Sequence, residues 1–126
     1  MRDEKPEDLR PRTKRFALDV IRLYATEPKS TEAQVLGRQV LRSGTSVGAN
    51  YREAYRSRSK VEFIAKIGDC LKELEESGYW FELLAESAIM DASKMLGIRD
   101  ECNQLLAIMT TISKKSKAGL HFHRLM

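Results

Sequence analysis

The residue types that could do acid–base, nucleophilic or metal chemistry are few in this chain, and their spacing keeps them apart. His121 and His123 are the only histidines, two positions apart near the C-terminus. Two imidazoles can hold a stray metal ion. A built site needs further ligands, and neither histidine stands in the Glu-x-x-His pattern of a di-metal bundle. Cys70 and Cys102 form no CxxC or other zinc spacing and read as two buried, reduced thiols. Glu73, Glu75 and Glu76 make a carboxylate cluster without a partner acid, base or metal ligand, and so read as a solvated or salt-bridged face. There is no glycine-rich phosphate loop, no HExxH and no Ser-His-Asp arrangement. The chain reads as non-enzymatic, with no cofactor or metal.

Arginines are the remaining chemistry-bearing group. Positions 37–58 hold five, Arg38, Arg42, Arg52, Arg56 and Arg58, against the single acid Glu53. On one continuous helix, at about 100° per residue, Arg38, Arg42, Arg52 and Arg56 fall within about 80° of one another and spread over about 27 Å. Leu36, Val40, Val47 and Tyr51 lie on the opposite side. Guanidinium forks suit phosphate oxygens, which makes these four arginines the candidate nucleic-acid-binding residues. The alternative is a solvated face paired with acids of a neighbouring helix. Positions 59–91 carry eight acids against three lysines, the complement that such pairing requires. Both readings stay open at this level.

The elements that must position these residues are helices. With 126 residues, 42% apolar and 32% charged, three prolines and seven glycines, the composition is that of one all-helical domain. Residues 1–12, charged and punctuated by proline, read as a disordered tail. Thr13 is the expected N-cap of a first helix carrying Phe16, Ala17, Val20, Ile21, Leu23 and Tyr24, stopped before Pro28. Ser30 or Thr31 caps a second, whose apolar positions Ala33, Leu36, Val40, Val47, Tyr51 and Ala54 keep one phase across the stretch SGTSVGAN. That phase predicts a continuous helix from about 31 to 56, with Gly44 and Gly48 letting a neighbour approach closely.

Ser59, with Glu62 three residues on, caps a third helix to about Met90, carrying Phe63, Ile64, Ile67, Leu71, Leu74, Gly78, Phe81 and Ala85. Asp91 caps a fourth, with Met95, Ile98, Cys102, Leu105, Met109 and Ile112 inward and Gly119 ending it. The expected architecture is an all-α, antiparallel up-down-up-down four-helix bundle over residues 13–118, followed by a C-terminal tail at 119–126. Trp80, Leu83 and Leu84, flanked by Tyr79, point away from the core line of the third helix. Either the C-terminal tail or another subunit covers this patch; because tryptophan is enriched at interfaces, these four are the expected oligomer interface.

The net charge of +4 is only mildly basic and says little about nucleic acid by itself. No apolar run approaches the roughly 20 residues of a membrane span, and the N-terminus has no apolar signal-peptide core. A cytoplasmic protein with no membrane partner is expected.

The longest informative string, LRSGTSVGANYREAYRSRSKVEFIAKIGDCLKELEESGYWFELL, resembles the 23S ribosomal RNA intervening-sequence protein family, the bacterial four-helix-bundle proteins. The similarity runs from about Phe16 to Lys115. It rests on Leu41-Arg42-Ser43, Ser46-Val47, Ala49-Asn50, Glu53-Ala54, Arg58-Ser59-Lys60 with Glu62-Phe63, Leu74-Glu75-Glu76, and the string from Tyr79 to Leu84. The resemblance implies an antiparallel bundle that assembles into a homo-oligomeric ring, commonly a pentamer. It also implies kinship with basic rings that bind nucleic acid and a reverse transcriptase. No activity is firmly assigned to the family. The function expected is a homo-oligomeric bundle that binds RNA or DNA non-specifically, the alternative being a scaffold for a protein partner.

Overall fold

The computed structural model describes residues 7–125, with side chains described as far as Gly119. The elements are α1 (Arg10–Ala25), α2 (Thr31–Tyr55), α3 (Lys60–Glu86) and α4 (Leu96–Leu125), with a 3-10 turn at Ala92–Met95 leading into α4. The all-α four-helix bundle expected from the sequence is the fold observed.

Helix α1 starts earlier than the charge pattern implied. Pro11 sits in its first turn, where a missing N–H costs nothing. Thr13 is inside the helix and is not its cap; its hydroxyl donates to the Leu9 carbonyl at 2.7 Å. Leu9 itself is fully buried, and its N–H donates to the Tyr51 hydroxyl at 3.3 Å. The expectation of a disordered tail over 1–12 is therefore corrected for residues 7–12. A single apolar anchor holds them, and residues 1–6 lie outside the described residues.

Helix α2 is continuous through Gly44 and Gly48, as the unbroken phase predicts. Ser30 caps it, its hydroxyl accepting from the Ala33 N–H at 3.2 Å. Each helix-interior glycine costs about 1 kcal/mol relative to alanine, and here the cost is offset by close packing. A Cβ on Gly44 would lie 2.7 Å from a Val20 methyl, and one on Gly48 would lie 3.2 Å from the Thr13 hydroxyl. On the α3 side the buried Ser43 and Ser77 hydroxyls meet at 2.7 Å. Ser77 also reaches the Glu73 carbonyl at 2.9 Å and Ser43 the Val40 carbonyl at 3.4 Å, so either hydroxyl can be the donor of the pair. The small-residue stretch serves two neighbouring helices at once.

Ser59 caps α3 by accepting from the Glu62 N–H at 3.1 Å. The helix stops at Glu86, short of Met90, where Ala88 takes a left-handed φ of 61° and the Met90 N–H closes on the Leu84 carbonyl at 3.1 Å. Asp91 caps the 3-10 turn through the Ser93 N–H at 3.0 Å. Helix α4 does not end at Gly119 but runs to Leu125. No described glycine has a positive φ, so nothing at Gly119 makes the left-handed stop that a C-cap glycine supplies. His121 and His123 fall in this last stretch, and their side chains lie outside the described residues.

Phe16 of α1 meets Phe81 of α3 edge-on, ring centroids 6.4 Å apart, and Val20, Val47, Ile67, Leu74, Leu84, Leu105 and Met109 fill the core around them. Cys70 and Cys102 are free and buried, donating to the Val47 and Leu74 carbonyls at 3.6 and 3.3 Å. Burial pushes both thiols up to about 12, which leaves them inert at neutral pH. Helices α2 and α3 pack most extensively and α1 and α4 least. Arg12 spans that thin seam, gripping the Glu101 carboxylate with two bonds of 2.8 Å and Gln104 with one of 2.7 Å. Among the described residues no helix is long and apolar enough to cross a membrane.

Candidate nucleic-acid interface

Because α2 is unbroken, Arg38, Arg42, Arg52 and Arg56 do share one side of it, but their surroundings divide the stripe in two. Arg42 reaches α3, donating to Glu76 at 2.6 Å and to the nearly buried Glu73 at 3.3 Å. Arg38 contacts Gln34 of its own helix at 3.4 Å. The reading of all four as one phosphate-facing stripe is corrected at Arg42, whose guanidinium is spent on two acids of α3. Arg52 and Arg56 are exposed and make no ion pair among the described residues.

Antiparallel packing then gathers further cations around Arg52 and Arg56. Leu9 bonds to Tyr51, which brings the start of α1 to the end of α2. Lys66 pairs with Glu53 at 3.3 Å, bringing the start of α3 alongside. A Cβ on Gly119 would lie 3.6 Å from the Lys60 ammonium, so the far part of α4 belongs to the same end. Arg10, Arg52, Arg56, Arg58, Lys60, Lys114, Lys115 and Lys117 therefore share one end of the bundle with the acids Glu7, Asp8, Glu53 and Glu62. At the opposite end Asp19, Glu27, Glu32, Glu82, Glu86 and Asp91 outnumber Arg22, Lys29 and Lys94. The molecule is polarised along its long axis.

At the basic end, Asp8 holds Arg10 in a fork, accepting from Nε at 3.1 Å and from Nη2 at 2.8 Å. That hydrogen bonding, with a smaller pull from Arg52, keeps the Asp8 carboxyl below its ordinary value. The Arg10 guanidinium carbon sits 3.7 Å from the centroid of the Tyr55 ring, a cation–π stack. The charges and prolines of residues 1–12 hide Arg10 from the sequence, and Tyr55 is hidden by lying off the core line of α2. The signal was present: Leu9, Thr13, Phe16 and Val20 continue the helical spacing upstream, and all four are buried.

The expected oligomer interface also divides. Tyr79 is 54% exposed, with its ring 5.2 Å from that of Trp80. Trp80 and Leu83 are half-buried, Trp80 packs against the core, and its indole N–H is buried without a hydrogen-bond partner among the described residues. Leu84 is fully buried in the monomer core and is withdrawn from the interface. Helix α3 packs on both α2 and α4, so its buried stripe is wider than the single heptad line the sequence suggested.

Two other places carry polar groups. Glu27, in the turn between α1 and α2, lies over Gly37, where a Cβ would meet its carboxylate carbon at 2.7 Å. Its Oε1 is buried with no partner among the described residues, and loss of hydration raises its pKa to about 7. A shallow cavity of about 570 Å³ lies between Asp19, Arg22, Leu23 and Thr26 of the first helix region and Met90, Lys94, Gly97 and Ile98. Its Arg22 is engaged by Asp19 at 3.1 Å. Among the described residues no group of three or more His, Cys, Asp or Glu could hold a metal ion.

The family profile of the 23S rRNA-intervening sequence proteins matches residues 8–111. The chain belongs to this family. One similar solved structure is that of a protein of unknown function from the S23 ribosomal protein family of Bacteroides thetaiotaomicron. It has a TM-score of 0.78 and 32% identity, over 84% of this chain and 95% of that one. No curated protein matches. The resemblance read from the string around SGTSVGAN is borne out, and the matched span takes in Asp8, Arg10, Arg52, Tyr55 and Arg56 while stopping before Lys114.

Proposed function

We propose that this protein is a non-enzymatic, homo-oligomeric helical bundle that binds nucleic acid without sequence specificity through its basic end. The observation that carries the reading is the exposure of Arg52 and Arg56 without ion pairs among the described residues, beside Arg10, Arg58 and Lys60, while Arg42 is engaged by α3. An unpaired guanidinium meets a phosphate without first breaking a protein contact, and counterion release supplies the affinity. Such contacts fix position and carry no sequence information. The exposed Tyr79 beside Trp80 supports a subunit contact on the side of the bundle, away from that end. Cyclic assembly, commonly of five subunits in the resemblance described above, would repeat the basic end about one axis and let several weak contacts act on one polymer.

The protein-interaction scaffold is the second reading, favoured by Arg42, which shows one arginine of the stripe used for helix packing. Gel-shift titration at about 50 mM salt separates the two, because phosphate contacts are least screened there. The nucleic-acid reading expects Arg52→Gln with Arg56→Gln to weaken binding and flatten the salt slope by about 0.9 per phosphate lost. No shift of duplex or single strand by the unmodified protein would leave the scaffold.

A further inference from the structure

Tyr55 is the feature of the basic end that phosphate binding alone does not use. One turn earlier, Tyr51 is only 6% exposed and its hydroxyl is tied to Leu9; Tyr55 is 51% exposed, its ring 6.5 Å from that of Tyr51 and tilted by 47°, with Arg10 over it. The half-exposed ring leaves part of an aromatic face open at the end of the helix. Arg10 covers one ring face, and Asp8 holds that guanidinium in place, so the stack is formed in advance. Arg52 stands one turn before the ring on the same side of α2, and Arg56 directly follows it.

We propose that this cluster takes single-stranded nucleic acid, an unpaired base stacking on the open part of the Tyr55 ring while Arg52 and Arg56 meet the flanking phosphates. The inference rests on the nucleic-acid reading above and narrows it. In a duplex the base faces are stacked on one another and only their edges reach the grooves. Away from the ends of a duplex, a protein ring at the surface can therefore stack only on a base that is unpaired. Every base has such a face, so the preference is for strandedness and not for sequence.

The test compares a short oligothymidylate with a relaxed circular duplex, which has no open ends, at about 50 mM salt. Tyr55→Phe should keep single-strand affinity, and Tyr55→Ala should lower it about tenfold or more, the usual effect of losing one base stack. Duplex affinity should move far less. Arg52→Gln should weaken both. Tyr55→Leu keeps apolar bulk over Arg10 and should lose single-strand affinity as Tyr55→Ala does, which covers the case in which the alanine variant fails to fold. If the leucine variant binds the single strand as the unmodified protein does, or if single strand and duplex weaken equally, the stacking proposal is overturned while the basic end stands. If the unmodified protein binds neither probe, the nucleic-acid reading itself falls.

Discussion

Gly44 of α2 lies against Val20 of α1 so closely that a Cβ at position 44 would sit 2.7 Å from one Val20 methyl and 3.1 Å from the other. β-Branched valine has little rotameric freedom on a helix, so the clash would be relieved only by moving α1. Gly44→Ala should therefore destabilise by about 1–3 kcal/mol despite the better helix propensity of alanine. Gly68 is the control, since nothing lies within 4 Å of its Cβ position. Gly68→Ala should stabilise by about 0.5–1 kcal/mol. Urea unfolding of the two variants measures both, and equal shifts would mean that the α1–α2 contact does not require glycine.

These glycines show what the sequence disclosed and what it withheld. The phase from Leu36 and Val40 to Val47 and Tyr51 was legible because a helix must present one face to its core, whatever its weak points. Which neighbour required Gly44 and Gly48 was not legible, because periodicity says nothing about partners across space. The same limit explains the arginines. Their common side of α2 follows from spacing alone, whereas the capture of Arg42 by Glu73 and Glu76 depends on the register of α3. A single heptad line leaves Leu84 outside, whereas α3 has two neighbours to pack against. Leu9 is masked in the sequence because its flanking charges outweigh one leucine.

Glu27 should make stability depend on pH in an unusual direction. Its folded-state pKa of about 7 lies above the ordinary 4.5, because burial over Gly37 disfavours the carboxylate and no charged group offsets it. The folded state thus binds the extra proton, and this contribution is fully present below about pH 4.5, falls as pH rises to about 7 and is flat above. The side chain is only half-buried and solvent screens it, so the change should be on the order of 1 kcal/mol. Glu27→Gln should remove the decline between those limits in thermal unfolding followed by circular dichroism. A decline that persists in the variant assigns it to another group.

On α3, neighbouring residues should respond in opposite ways. Leu84→Glu places an unpaired charge in the core and should unfold the protein or cost more than about 4 kcal/mol. Tyr79→Glu changes an exposed residue, so the helical signal should survive. If the side patch joins subunits, this variant should run as a smaller species in light scattering. Unchanged mass would take Tyr79 out of the interface.

Asp8 gives the last prediction, because it competes with phosphate for the basic end. Its carboxylate forks Arg10 at 2.8–3.1 Å, and Arg52 lies near enough to help keep it ionised. A phosphate bound at Arg52 is repelled by this neighbouring negative charge. Asp8→Asn keeps the shape, removes the charge and should tighten nucleic-acid binding several-fold at about 50 mM salt, with a salt slope steeper by up to about 0.9. Hydrogen bonds from Arg10 hold the carboxyl below the usual carboxylate range, so mild acid should not reproduce the effect, and affinity should be unchanged by this group from pH 8 down to about 5. Weaker binding in the variant would mean that Asp8 acts chiefly by holding Arg10 on Tyr55, and that the placement of this cation matters more than the charge it brings.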